Sequence, residues 1–379
     1  MSELKVHIEL TRFVQPEKIE IDANEKAVNE KSQYCFFVCT TFDSFLNDLL
    51  IIADTQNKTT KNNNYIVHTD ESEFFSRREF AEIASTLFYI FGYAKVFYSE
   101  LDFIKFVMDE HPSSTECYIY NFSRDGIAEG KKSLIPAFCD LCGLKYTGSN
   151  AFTISLLRNK WIFTQVLSNM GILTPKSVLY TFNNHNILEP FLDTTILLKN
   201  IHESASIGLL TDNKIYLTKE NLKTVDMTLQ RMNTKQLLIQ EYISGLECEV
   251  LVIQFKGKYY ALEPVEIVIN GNDFLDSLTS NLYNYSFRKL SDRLSPTVIE
   301  QIKKQAVKAA QILSIKDYAR FDFRIEKDQP YLIDIAGTPY TIKHSSVAFL
   351  FENIMHLDYK DIYKTIMACS FSNYDILQS

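Results

Sequence analysis

The feature that most limits how this chain can fold is the stretch of residues 317–346, where two alternating runs flank a polar turn. Residues 321–325 and 331–335 are spaced to pair across Glu326, Lys327, Asp328, Gln329 and Pro330. The hairpin is then centred on Asp328, with Asp322 directly opposite Asp334. Strand side chains alternate between faces, so Arg320 and Arg324 share the face of the two aspartates. Phe321, Phe323, Ile333 and Ile335 point the other way, into a core. Opposed carboxylates about 5 Å apart at Cβ repel unless a cation or an arginine lies between them. Such a face suits a divalent metal ion beside a phosphate clamp. A merely solvated hairpin face would use the same residues without any site.

The 379 residues are 46% hydrophobic and 23% charged, a globular composition long enough for two or three domains. A net charge of −8 with no block of lysine and arginine argues against nucleic acid as a partner. No run approaches about 18 uninterrupted apolar residues and the N-terminus lacks a signal-peptide core, so the expectation is a cytoplasmic chain with no membrane partner. Seven cysteines without framework spacing fit reduced thiols. Cys139 and Cys142 form the one CxxC. Their spacing on a helix reads as core packing, since no second pair completes a zinc site.

Residues 1–34 give little beyond short apolar runs. Residues 34–41 read as a buried strand, 45–53 as a helix, and 54–64 as a polar loop. Residues 80–91 read as a helix, 94–98 as a strand, 101–108 as a helix and 117–122 as a strand, an alternation that predicts a parallel α/β sheet. A helix near 135–142 follows, then the turn cluster Thr147, Gly148, Ser149 and Asn150, taken as the first domain boundary. Residues 151–170 form one amphipathic helix ending at Gly171. Residues 195–199, 236–242 and 249–255 read as strands, and 296–313 as a helix.

Seven short segments, in order, resemble the D-alanine–D-alanine ligases and their relatives in the ATP-grasp superfamily. They are residues 143–150, then Asn159, Lys160 and Trp161 with 171–175, then Leu198 and Lys199, 203–208, 240–247 and 319–323. The resemblance covers about 143–346 and, loosely, 118–130. It implies an ATP-grasp fold, α/β and α+β, with an N-terminal Rossmann-like domain over 1–147, a central lid over 148–241 and a C-terminal domain carrying the hairpin over 242–379. It implies ATP and Mg²⁺ as cofactors, small amino acid-like substrates, and a chain that can form a homodimer.

By the same resemblance Lys160 and Lys199 reach ATP phosphates, two cations against a triphosphate's own repulsion. Residues 203–208, with Glu203 and Ser206, match the loop that covers the phosphates, where small side chains let backbone N–H groups approach an anion. Glu241 and Glu247 match carboxylates that accept from adenine and ribose, with Tyr242 and Ile243 beside the base. Arg320 matches the arginine that stabilises developing charge. Asp322 and Asp334 match magnesium ligands. Ser345, with Ser346, matches the group holding the second substrate's carboxylate. Glu79 stands where a family glutamate binds the first amino group, a place that also suits an acid at a helix N-terminus.

Several positions depart from the family. Ala336 replaces an asparagine and removes one ligand oxygen, Ala205 replaces a serine, and Tyr340 replaces a glycine after the proline and should reshape the acceptor pocket. No counterpart of the family's loop lysine and tyrosine is evident in 273–287. The implied activity is an ATP-dependent carboxylate–amine ligase acting through an acyl phosphate. A nucleotide-binding regulatory or scaffold protein and an ATP-grasp kinase are the alternatives.

Overall fold

The computed structural model describes residues 75, 77–91, 94–114, 117–271 and 273–374, together with three short strands before them. Those strands are β1 (Ile8–Glu9), antiparallel to β2 (Val38–Cys39), and β3 (Asp48–Ala53). Apart from these strands, the readings made for residues 1–64 lie outside the described residues. The helix expected over 45–53 is not found: residues 48–53 form β3, the middle strand of a parallel sheet with β4 (Ala94–Phe97) and β5 (Cys117–Phe122). A short apolar run has no periodicity to tell a strand from a helix, and here the β-branched residue types at 51 and 52 favour the strand.

The two faces of β5 explain the parallel sheet. Tyr118, Tyr120 and Phe122 pack against helices Arg77–Phe91 and Tyr359–Asn373. Cys117 and Ile119 face helices Glu100–Glu110 and Leu134–Cys142. Cys139 is fully buried in that second cluster, as the core-packing reading of the CxxC expects, but Cys142, the last residue of its helix, is exposed. Among the described residues no helix is long and apolar enough to cross a membrane.

The helix expected over 151–170 is two, Ala151–Leu157 and Lys160–Asn169. Asn159 interrupts the periodicity because its side chain accepts from the Ile162 N–H at 3.0 Å and caps a new helix, which leaves Lys160 at the first turn. A four-stranded antiparallel sheet follows, in the order β6 (Ser177–Thr181), β9 (Gln236–Glu241), β7 (Thr194–Lys199), β8 (Lys214–Leu217).

The last sheet is antiparallel: β13 (Tyr285–Lys289), β12 (Val265–Ile269), β10 (Leu246–Phe255), β14 (Tyr318–Glu326) and β15 (Gln329–Ala336), with β11 (Lys258–Ala261) also on β10. Helix Pro296–Ile312, opened by Pro296 and the Ser295 cap, buries Ile302, Ala306 and Ala309 against Val250, Phe321, Phe323 and Ile335. One face of the sheet is therefore sealed, and the polar residues of β10 and β14 are left on the other.

The hairpin differs from its expected form. The turn is only Lys327 and Asp328, both left-handed (φ +50° and +63°), and Pro330 lies in β15 opposite Ile325. That turn would put Asp322 opposite residue 333, but a bulge between Asp322 and Phe323 shifts the register and restores the Asp322–Asp334 pair. In consequence Leu332 takes the core place expected of Ile333, and Ile333 lines a cavity.

Asp317 fixes the hairpin to the rest of the molecule. Its fully buried carboxylate accepts from the Gly148 N–H at 2.7 Å and from Asn373 Nδ2 at 2.8 Å. This joins the 147–150 turn, the C-terminal helix and the start of β14.

Candidate active site

The face of β10, β14 and β15 turned away from helix Pro296–Ile312 is a ladder of charges. Glu247 lies opposite Arg324, Glu249 opposite Asp322, and Asp322 in turn opposite Asp334. Arg320 donates from Nε and Nη2 to the two oxygens of Asp322, both at 2.8 Å, and from Nη2 to Glu249 at 3.0 Å. Burial pushes the Asp322 carboxyl up, against the pull of Arg320. Arg324 reaches Glu247 at 3.5 Å and donates to the carbonyls of Gly245 (3.1 Å) and Asp273 (2.7 Å). The repulsion expected between the facing carboxylates is thus relieved by cations from outside the pair.

Lys160 supplies one of them, as an ion pair to Asp334. Burial alone would raise Asp334, but Lys160 and Lys199 hold its carboxyl below the usual range. Lys199, at the end of β7, donates to Gln240 Oε1 at 2.8 Å. Burial, with the neighbouring Lys160, pushes its ammonium down to about 8. A buried ammonium with a second one beside it forms a site that favours an anion.

Above these cations runs the loop of residues 201–208. Ala205 and Ser206 are both left-handed (φ +52° and +56°). Ser206 Oγ donates to the Leu275 carbonyl at 2.8 Å, and Glu203 pairs with Lys131 at 3.2 Å and lies 3.8 Å from Arg158. Beyond the lysines, Tyr242 donates its hydroxyl to the Asp273 carbonyl at 2.8 Å, with Lys214 and Arg324 over its ring. Ile243 is buried beside it.

At the opposite end Ser345 caps helix Ser346–Phe349: its hydroxyl accepts from the Ala348 N–H at 3.1 Å and donates to the Ile342 carbonyl at 2.6 Å. Burial raises the Glu249 carboxyl's pKa, against the pull of Arg320 and the neighbouring Ser346. Glu79 accepts from the Tyr283 hydroxyl at 2.6 Å. His344 packs edge-on to Tyr283 and Tyr285, at 4.7 and 5.0 Å, and burial lowers its pKa.

All the site residues expected from sequence line this one cavity: Lys160, Lys199, Glu203, Ser206, Glu241, Tyr242, Ile243, Glu247, Arg320, Asp322, Asp334, Ser345, Ser346 and Glu79. Arg124, Glu249, Tyr283 and His344 are among the lining residues that went unseen. Glu249 was legible by period two from Glu247. Tyr283 and His344 were not, because their meeting depends on long-range packing.

For magnesium, the observed donor set is two facing carboxylates beside clustered cations. Mg²⁺ is commonly held by one or two carboxylates and completes its shell with phosphate oxygens and water, so the residues fit a single ion. Ala336, opposite Arg320, offers no side-chain oxygen for another.

Residues 180–368 match the family model described as the D-ala D-ala ligase C-terminus. A D-alanine--D-alanine ligase from Petrotoga mobilis is 28% identical over 217 residues, which cover 55% of this chain and 67% of that protein. One from Aquifex aeolicus is 24% identical over 201 residues, 52% of this chain and 64% of that protein. The chain therefore spans about two thirds of the length of the curated relatives it matches. Among solved structures, the D-alanine--D-alanine ligase of Bacillus anthracis aligns with a TM-score of 0.64 at 15% identity, over 86% of this chain and 98% of that one. The VanG D-Ala:D-Ser ligase of Enterococcus faecalis aligns at 0.61 and 13%, over 85% and 99%. At these identities the structural likeness speaks for the fold.

Proposed function

We propose that this chain, a D-alanine–D-alanine ligase-like protein with the ATP-grasp fold, is an ATP-dependent carboxylate–amine ligase joining two small amino acid-like substrates. The observation that carries this reading is the meeting in one cavity of Lys160 from a helix, Lys199 from β7, and Arg320, Asp322 and Asp334 from the β14–β15 hairpin.

In this account Lys160 and Lys199 hold the phosphates of ATP beneath residues 203–208. Glu241, Tyr242, Ile243 and Glu247 receive the base and ribose. Asp322 and Asp334 would hold one Mg²⁺, and that ion would supply positive charge to the phosphate oxygens. Arg320, locked between Asp322 and Glu249, keeps a fixed positive charge where negative charge develops, so little reorganisation is needed during reaction. A carboxylate takes the terminal phosphoryl group to give an acyl phosphate, and an amine then displaces phosphate to form the amide. Glu79 faces the amino group of one substrate, and Ser345 and Ser346 border the place of the other. The protein's own contribution is positioning and exclusion of water. A division into domains over 1–147, 148–241 and 242–379 and cytoplasmic residence belong to the same proposal.

Hydroxylamine tests the intermediate. With ATP, Mg²⁺ and an acid substrate but no amine, the ligase should release ADP and convert the acid to its hydroxamate. A kinase would instead accumulate a stable phosphorylated product. Ala336 favours one further reading, a nucleotide-binding protein with weakened catalysis, which would bind ATP and form neither product.

A further inference from the structure

We propose that Arg124 is a specificity residue of this cavity, which holds a carboxylate that the reaction leaves intact, so that one substrate must carry a free carboxylate besides its reacting group. The inference rests on the ligase reading only for the word substrate.

Arg124 is 2% exposed, yet it lines the cavity. Its guanidinium sits in a corner between the rings of Phe75 and Tyr340, which stand at 82° to each other, with its carbon 4.5 and 4.6 Å from their centroids. Its one hydrogen bond is from Nη2 to the Thr338 carbonyl at 3.2 Å, and Nε is buried with no acceptor. Among the described residues no carboxylate pairs with it. Aromatic faces offset part of the desolvation of a cation, but they accept nothing from the in-plane N–H donors. A buried guanidinium with donors to spare is unfavourable unless an anion completes it, and a planar carboxylate matches the guanidinium fork.

A second observation points the same way. The residue expected to hold the non-reacting carboxylate was Ser345, but its hydroxyl already makes both a cap and a carbonyl hydrogen bond. Arg124 lines the same cavity as Ser345, His344 and Tyr340. Tyr340, which stands in place of the glycine usual in the family, forms one wall of the arginine's corner. Its replacement and the use of Arg124 are then a single adaptation.

The test is calorimetric binding of D- and L-amino acids and of their carboxamides to the whole chain with ADP and Mg²⁺ present. The wild-type chain should bind at least one free acid 30-fold or more tighter than its amide. Arg124→Met should reduce that ratio to below threefold, and Arg124→Lys should restore a ratio above threefold. A ratio is insensitive to partial unfolding of a variant. Equal binding of acid and amide by the wild-type chain, no binding of any acid, or an unchanged ratio in Arg124→Met would overturn the proposal. Acid-selective binding that depends on Arg124, without turnover of any substrate pair, would count against the ligase reading alone.

Discussion

Asp322 and Asp334 face each other across β14 and β15 only because Ile333 occupies a bulge between the two-residue turn and the pair. The extra residue places an apolar side chain on the cavity wall beside a charged one. A flat base stacked there loses apolar contact when that side chain is cut back. Ile333→Ala should weaken ATP binding by about tenfold, on the order of 1 kcal/mol of apolar burial, while thermal stability changes little. Calorimetric titration with ATP checks this, and unchanged affinity would place the base elsewhere.

Lys199 should be felt through pH. Burial lowers its pKa to about 8, and a neighbouring phosphate would raise it again, so binding takes up a proton above that value. ATP affinity should be flat from about pH 6.5 to 7.5 and fall above about pH 8 by up to about tenfold per unit. Lys199→Arg stays charged and should flatten that decline, while Lys199→Ala should weaken binding by more than about tenfold at neutral pH. A decline that persists in Lys199→Arg would assign the proton to another group.

Asp322→Asn removes a metal ligand and half of the clamp on Arg320. Mg²⁺-dependent turnover should fall by at least about a thousandfold, since both the ion and the fixed cation lose their holder. Steady-state ADP release measures it. An active variant would mean that Asp322 serves only to hold Arg320 in the fold and takes no part in metal binding.

Ala336→Asn restores a side-chain oxygen opposite Arg320. A weakened ligase should gain turnover and bind a second Mn²⁺, counted by paramagnetic titration. A variant that gains neither would leave Ala336 unconnected to metal binding.

Asp317→Ala strands the Gly148 N–H and loosens the join between the 147–150 turn and the hairpin. The loss should be about 3 kcal/mol in urea unfolding, because buried donors are left without an acceptor. A loss below about 1 kcal/mol would mean that the join is not made through this carboxylate.

The sequence carried the site further than it carried the elements that hold it. Alternation over Phe321, Asp322 and Phe323 assigned both faces of β14, because a strand buried on one side leaves little freedom of register. The order of Lys160, Lys199, Glu241 and Arg320 brought the cavity residues together although each lies on a different element. Residues 48–53 were misread because an apolar strand has no period to display. The helix break at Arg158 and Asn159 depends on one capping side chain. The bulge at Ile333 depends on a two-residue left-handed turn at Lys327 and Asp328 that lacks the Asn-Gly or Asp-Gly pair such turns favour, and the Glu79–Tyr283 contact spans more than 200 residues and has no local signal.

The most direct test of the account is release of ADP and phosphate from ATP and Mg²⁺ against D- and L-amino acids, singly and in pairs, with mass spectrometry of the products. The account predicts release that requires two substrates, with a product one water lighter than their sum. ATP binding with no turnover on any pair, or a phosphorylated product that needs no amine, would contradict it.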